Sequence, residues 1–334
     1  MDFTPSYIHL LNNGELEKRA KIADKILESC TSCPRHCEIN RVIDERGTCK
    51  SGYLPVISSY TPHFGEEPVL SGTRGAGNIF FGNCNLRCVF CQNYEISQNW
   101  KIENSKTVSF ERLADIMLEL QDKGCHNIGL VSPTHFSAQI IKSIFIAAQK
   151  GLRLPIIYNT NAYDSLEILK LYDGIIDIYL PDFKWGDNES GDTYSKVPDY
   201  FDKAKIAVKE MYNQVGDRLV YDDNNLVKRG LIIRHLVMPN GLAESEKVFK
   251  FISNEISRKV HISLMSQYFP SNKAGNDILI SRAIKPREYE KAIELMEKYE
   301  LENGWLQEME SFENYLPEFN KDRANPFNNP VNAI

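Results

Sequence analysis

The chain has 334 residues, 39 of them Lys or Arg and 45 Asp or Glu, for a net charge of −6. Such mild acidity argues against a protein held on nucleic acid by phosphate contacts. With 25% charged and 42% hydrophobic residues, the sequence is neither disordered nor fibrous, and no apolar run reaches the length of a membrane span. The first residues, MDFTPSYIHLLNNGELEK, lack the basic-then-apolar pattern of a secretory leader. The expectation is a cytoplasmic, reducing setting, in which eight cysteines read as metal ligands before disulfides.

Residues 14–29 carry Ala, Ile and Leu at helical spacing among charges and predict a solvated helix. Residues 30–50 hold Cys30, Cys33, Cys37 and Cys49 with Pro34 and Gly47 and no clear period. Residues 51–76, rich in Gly, Pro, Ser and Thr, predict loop or short strand. GNIFFG (77–82) predicts a strand and leads into a second cysteine cluster, Cys84, Cys88 and Cys91. Ser109 opens a helix over 109–124 that stops at Gly124. Strands then follow at 127–132, 155–159, 175–180, 231–237 and 260–266, alternating with helices at 136–150, 164–172, 198–215, 242–256 and 286–301. This is the pattern of an α/β fold with a parallel sheet and crossover helices. Six βα units after residue 76 fall short of the eight of a closed barrel, so the sequence predicts a partial (β/α)6 TIM-like barrel with an N-terminal cysteine-rich extension. The expected division is residues 1–76 for the N-terminal helix and metal-binding extension, and 77–334 for the barrel and tail. The tail, Leu316 to Ile334, is rich in Pro and Asn and is expected to run over the surface.

The segment GNCNLRCVFCQNYEIS spaces its cysteines C-x-x-x-C-x-x-C. A structural zinc or an electron-transfer cube wants four protein ligands. Three thiolates on one loop hold three irons of a [4Fe–4S] cube and leave the fourth open to a small molecule. The alternative is a zinc knuckle with a remote fourth ligand such as His63 or His126. The earlier cluster, C-x-x-C-x-x-x-C followed by Cys49, matches a closed tetrahedral zinc site or a second, fully ligated cube. Its close pairs favour zinc, and free thiols are the remaining alternative. Arg35, Arg41 and Arg46 either neutralise a tetrathiolate centre there or face solvent. Cys125, alone before a strand, reads as a buried structural thiol. Further candidates sit at strand ends: Ser132 and Thr134; Asn159 and Asn161; Asp182 and Lys184, which share a strand face; Arg234 and His235, polar residues in an apolar strand that need partners; and Gln267 and Tyr268.

Six segments carry a resemblance: HFGEEPVLSGTRGAGNIFFGNCNLRCVFCQNYEIS (63–97), LVSPTHF (130–136), YNTNAYDS (158–165), DIYLPDFKW (177–185), RHLVMPN (234–240) and SLMSQYFP (263–270). Together they resemble the radical S-adenosylmethionine (SAM) superfamily and, within it, the pyruvate formate-lyase-activating enzyme group and its uncharacterised relatives, over about residues 30–330. The resemblance implies that Cys84, Cys88 and Cys91 bind a [4Fe–4S] cluster whose open iron chelates SAM, with Phe90 near the adenine. Ser132 and Thr134 stand where the family has a Gly-Gly-Glu-like element for the methionyl amine. Asn159 replaces an aspartate of the activase, and Asn161 matches it. Asp182, Lys184 and His235 are placed by the resemblance near cofactor or substrate. The implied activity is that of an oxidoreductase taking a hydrogen atom from a protein or peptide, a glycyl-radical enzyme among the candidates, with a flavodoxin- or ferredoxin-like reductant and neither nucleic acid nor membrane as partner. Two other readings stay open: a radical enzyme acting on a small molecule, and a non-catalytic iron–sulfur protein for electron transfer or redox sensing. The latter has no need of an open iron.

Overall fold

Runs of β-branched and aromatic residues, bounded by Gly, Asn and Pro, form the strands of one twisted sheet. In this computed structural model residues 3–309 and 317–327 are described. The strands are β1 (Ile57–His63), β2 (Ala76–Phe81), β3 (Ile128–Val131), β4 (Ile156–Thr160), β5 (Ile178–Pro181), β6 (Val220–Tyr221), β7 (Val227–Leu236), β8 (His261–Met265) and β9 (Gly304–Leu306). Their order is β1-β2-β3-β4-β5-β7-β8-β9, with β6 paired to β7 off this path. All neighbours from β2 to β9 along it are parallel, whereas β1 and β6 pair antiparallel. Strands β2, β4 and β5 are buried along their whole length, as expected where helices cover one face and the barrel interior fills the other.

The result is the expected α/β partial barrel, open between β1 and β9 among the described residues. The six anticipated parallel strands are all present. A seventh, β9, extends them, and β1 adds an antiparallel edge. The crossover helices include Phe110–Asp122, where Ser109 Oγ accepts from Arg112 N at 3.1 Å as the cap. Ser137–Gln149, Leu166–Tyr172, Tyr200–Val215, Ser245–Phe251 and Pro286–Lys298 complete the alternation. The helix expected from 242 begins only at Ser245 and ends in one π turn, Ile252–Ile256.

The N-terminal helix is not solvated. Gly14, at φ +78°, separates two helices, Ser6–Asn12 and Glu15–Ile26. Leu16, Ala20, Ala23 and Ile26 are buried and belong to the same apolar cluster as the barrel helices. Their periodicity was compatible with a water-facing helix only because lysine and glutamate fill the other face. Tyr7 Oη donates to Leu154 O at 2.9 Å, and Ser6 N donates to Asp177 Oδ1 at 2.9 Å. The tail also departs from expectation: Phe319 is fully buried, 5.4 Å from the Phe80 ring centroid, and Arg323 pairs with buried Glu103 at 2.9 Å. Leu316 and residues 328–334 lie outside the described residues. Among the described residues no helix is long and apolar enough to cross a membrane.

Candidate active site

In parallel barrels the loops at the carboxyl ends of the strands carry the chemistry, and the second cysteine cluster lies there, directly after β2. Asn83, at φ +66°, turns the chain out of the strand. Cys84, Cys88 and Cys91 then face one cavity of about 180 Å³. The loop is pinned from outside: Arg87 N and Val89 N donate to Ser195 O and Tyr194 O at 3.1 and 2.9 Å, and Gln98 Nε2 donates to Cys88 O at 2.8 Å. Ser195 Oγ is 3.1 Å from Cys88 Sγ, and Trp185 Nε1 donates to that same Oγ at 2.8 Å. The indole hydrogen occupies a lone pair, so the hydroxyl hydrogen is free to point at the sulfur. Ser97 Oγ stands 3.2 Å from Cys91 Sγ. Burial pushes the Cys88 thiol up to about 12 and the Cys84 thiol to about 11, and raises Cys91 as well. Unliganded thiolates are therefore disfavoured here, and a bound cation would hold them ionised.

The opposite wall is charged. Lys184 Nζ bonds Asp182 Oδ2 at 2.7 Å, and Arg234 Nε bonds Asp182 Oδ1 at 2.7 Å. Arg234 reaches further, to Glu66 Oε2 at 3.0 Å and Asn159 Oδ1 at 2.8 Å. Burial by itself would raise the Asp182 pKa; the Arg234 and Lys184 cations outweigh it and hold the carboxyl below its usual range. Lys184 is raised despite burial, by Asp182 and then by Cys88. Its ammonium thus belongs to the thiol cavity electrostatically.

Most of the residues singled out in the sequence come together. Phe90, Ser132, Asn161, Asp182 and Lys184 line the cavity with the three cysteines. Phe90 stands edge-on to Trp185 at 5.5 Å and packs on Tyr268 at 5.8 Å. Ser132 reaches the cavity from a left-handed turn, φ +55°. Asn161 Nδ2 donates to Asn85 Oδ1 at 2.8 Å, tying β4 to the cysteine loop. Gln267 and Tyr268 line the wall as well. Asn159 lies one step away, on a second cavity of about 540 Å³ that shares Gln92, Arg234, Met265 and Gln267 with the first.

Two candidates fall elsewhere. His235 alternates with Arg234 and Leu236 along β7, and those two take the cavity face. The His235 ring points the other way, between Phe183 O (2.7 Å) and Ser245 Oγ (2.8 Å), packed against Phe249. Thr134 is fully buried beneath the site, its Oγ1 3.0 Å from Thr160 Oγ1, which donates to Asp164. The remote histidines do not complete a knuckle: His126 sits at the amino end of β3, its Nε2 accepting from Arg74 N at 3.1 Å, and His63 lies tilted against Phe327, ring centroids 4.3 Å apart, in the second cavity.

The structure also adds residues that no motif marked. Ser195 and Ser97 contact the sulfurs, Trp185 orients one of them, and Glu66 anchors Arg234. Glu66, Ser97 and Trp185 stood within segments of recognisable character; Ser195 did not. Glu67 is buried beside it with a raised pKa, driven by burial. Cys125 is buried at the other end of the sheet, in keeping with a packing role.

Residues 78–221 match the family model described as the Radical SAM superfamily. An uncharacterised protein of Methanocaldococcus jannaschii is 36% identical over 296 residues, spanning 86% of this chain and 80% of its own length. A second uncharacterised protein of that organism is 26% identical over 228 residues, 62% of this chain and 65% of its own.

Proposed function

The chain belongs to the radical SAM superfamily, and from that premise we propose that it abstracts a hydrogen atom from a protein or peptide, with a glycyl-radical enzyme as the leading class of partner. When bound, a [4Fe–4S] cluster supplies the electron that splits SAM into methionine and a 5′-deoxyadenosyl radical. The residues present fit that group: three thiols on one loop face a common cavity and no fourth cysteine lines it, so one iron is left for SAM. Cys84, Cys88 and Cys91 hold the cluster, and the Ser195 and Ser97 hydroxyls donate to two of the sulfurs. Lys184 offers its ammonium to the methionyl carboxylate, while Asp182 and Arg234 keep it in place. Ser132 and Asn161 supply hydrogen-bonding groups where the family's glutamate is missing. Phe90 and Tyr268, with Trp185 packed behind Phe90, form an apolar wall that keeps water from the reacting atoms.

The observation that carries the substrate reading is the second cavity. It is three times the volume of the first and continues from it. Carboxamides line its junction: Gln92 Nε2 donates to Gln267 O, and Gln307 Nε2 to Gln267 Oε1, both at 2.9 Å. Such groups suit the amides of an extended chain. A flavodoxin- or ferredoxin-like donor is the proposed reductant. The test is anaerobic turnover with dithionite, SAM and peptides carrying α-deuterated glycine. Deuterium should appear in 5′-deoxyadenosine, and the Cys88→Ala protein should form none. Cleavage of SAM with no deuterium from any peptide, but with transfer from a small metabolite, would move the substrate to the small-molecule class.

A further inference from the structure

The N-terminal cysteines are absorbed by none of this chemistry, yet the fold gathers them. Cys30, Cys33, Cys37 and Cys49 line one small enclosed cavity with Arg41 and Gly47. We propose that these four thiolates hold a second iron–sulfur cluster, a fully ligated [4Fe–4S] cube, locked against the loop of the first.

The backbone around the cavity is built from tight turns that aim sulfur inward. Cys30 N donates to Ile39 O at 2.9 Å, Glu38 N to Cys30 O at 3.1 Å, and His36 N to Cys33 O at 3.1 Å. His36 and Glu38 adopt φ +41° and +53°, conformations that cost side-chain-bearing residues energy. A Cβ on Gly47 would stand 2.8 Å from Cys37 Sγ, so only glycine lets that turn close on the thiol. The Ser32 and Thr48 hydroxyls lie 3.7 Å from Cys30 and Cys37 Sγ.

Charge points to an anion in the cavity. Arg41 is fully buried. Its guanidinium donates to Gly52 O at 2.6 and 2.9 Å and to His135 O at 2.6 Å, and Nη1 lies 3.9 Å from Cys30 Sγ. Among the described residues no carboxylate pairs with it. A buried cation without an anion is costly, and four thiolates around a cluster bring the negative charge that this one lacks.

The geometry also separates a cube from zinc, the ion that the sequence spacing favoured. Four sulfurs at about 2.3 Å from one zinc stand roughly 4 Å from each other. Among the described residues no three His, Cys, Asp or Glu side chains are placed for a single ion. The four thiols line the wall of one cavity. Cys84, Cys88 and Cys91 likewise line one cavity without forming a single-ion group, in the loop where the family carries a cube. On a cube each thiolate binds a different iron, and four thiols release four protons as it binds.

The two centres are clasped together. Arg35, between Cys33 and Cys37, donates through Nε to Asn85 O at 2.6 Å, beside Cys84. Arg87, between Cys84 and Cys88, donates through Nη2 to Thr48 O at 2.8 Å, beside Cys49. Each cysteine loop therefore braces the other.

The test is metal and sulfide analysis of anaerobically reconstituted full-length protein, with Mössbauer spectra, for the parent, a Cys84/Cys88/Cys91→Ala variant and the single variant Cys33→Ser. The expectation is about eight irons and eight sulfides in the parent and about four of each in the triple variant. Cys33→Ser should lose about four irons while its remaining cluster still changes its EPR signal on adding SAM. One zinc and no iron in the triple variant would overturn the proposal, as would no metal at all. If that variant does not fold, a parent holding only four irons, all kept in Cys33→Ser, overturns it equally. Whether the parent cleaves SAM is read separately, so failure of the catalytic reading is distinguishable from failure of this one.

Discussion

At the scale of the residue, neighbours in sequence part company in role. Arg234 and His235 both stood out as polar groups in an apolar strand, but period two sends them to opposite faces. Arg234 takes the cavity and two carboxylates; His235 takes a carbonyl and a hydroxyl in the helical layer. A strand end read from sequence says that a residue is near the mouth of the barrel, not which way it faces, and a one-residue error in register reverses the answer. The His235 pKa is pushed down to about 4, by burial first and by the Lys184 charge in addition, against the pull of Phe183 O. Above about pH 6.5 the folded and unfolded chains both hold it neutral. As pH falls towards 4, only the unfolded chain takes up the proton, so stability drops through that window by up to about 1.4 kcal/mol per pH unit. Urea unfolding of metal-free protein at pH 7.5 and pH 5 should therefore show a loss that shrinks by about 2 kcal/mol in His235→Gln. The variant should also be less stable at pH 7.5 by about 1–3 kcal/mol, having left Phe183 O or Ser245 Oγ without its partner, while 5′-deoxyadenosine formed per folded molecule stays at the parent level. Loss of turnover without loss of stability would return His235 to the site.

At the scale of the element, the long amphipathic helices were legible because each repeats its apolar period for two turns or more, and the buried strands because each is a short, nearly continuous apolar run between turn residues. The short elements were not. β9 has three residues, Gly304, Trp305 and Leu306, too few to show any period. Yet it extends the sheet beyond β8 and places Trp305, Leu306 and Gln307 along the larger cavity. What makes it a strand is closeness: Gly304, at φ +128°, lies so near β8 that a Cβ would stand 1.9 Å from Ile262 O. Gly304→Ala should push β9 off the sheet. Hydrogen exchange would report it at two amides that the pairing protects, Ile262 N, which donates to Asn303 O, and Gln307 N, which donates to Leu264 O. Faster exchange there, with β2 to β5 unchanged, is the expected outcome. The cysteine loops were legible for a different reason, since ligand spacing is written locally. Their bracing partners come from afar: Ser195, 107 residues from Cys88, lies in no motif, and Asn85 stands in the other cysteine loop, so local spacing does not link it to Arg35.

At the scale of the whole molecule, the N-terminal segment and the barrel are held together by apolar packing and by reciprocal polar contacts. Tyr7, Leu10, Leu16, Ile26 and Leu27 are buried in one cluster with Leu113, Ile140 and Ile168 of the barrel helices. Arg229 reaches from β7 to Ser6 Oγ at 2.8 Å, and buried Asp177, its pKa raised to about 6 by burial, accepts from Ser6 N. Each buried Leu or Ile is worth about 1.5–3 kcal/mol. Leu10, Leu16, Ile26 and Leu27 alone come to about 6–12 kcal/mol, as large as the whole net stability of a typical domain, about 5–15 kcal/mol. Removing residues 1–29 keeps all eight cysteines but strips this layer from the Ser137–Gln149 helix and leaves Asp177 without one of its two amide donors, Ser6 N, with Ile156 N remaining. The truncated chain should aggregate or bind a hydrophobic dye in conditions where the parent is folded, and the parent should unfold in one transition seen alike by far-ultraviolet circular dichroism and by tyrosine fluorescence. A truncated protein that keeps the parent's melting temperature would mean that the barrel carries its own stability and that the helices are only an appendage.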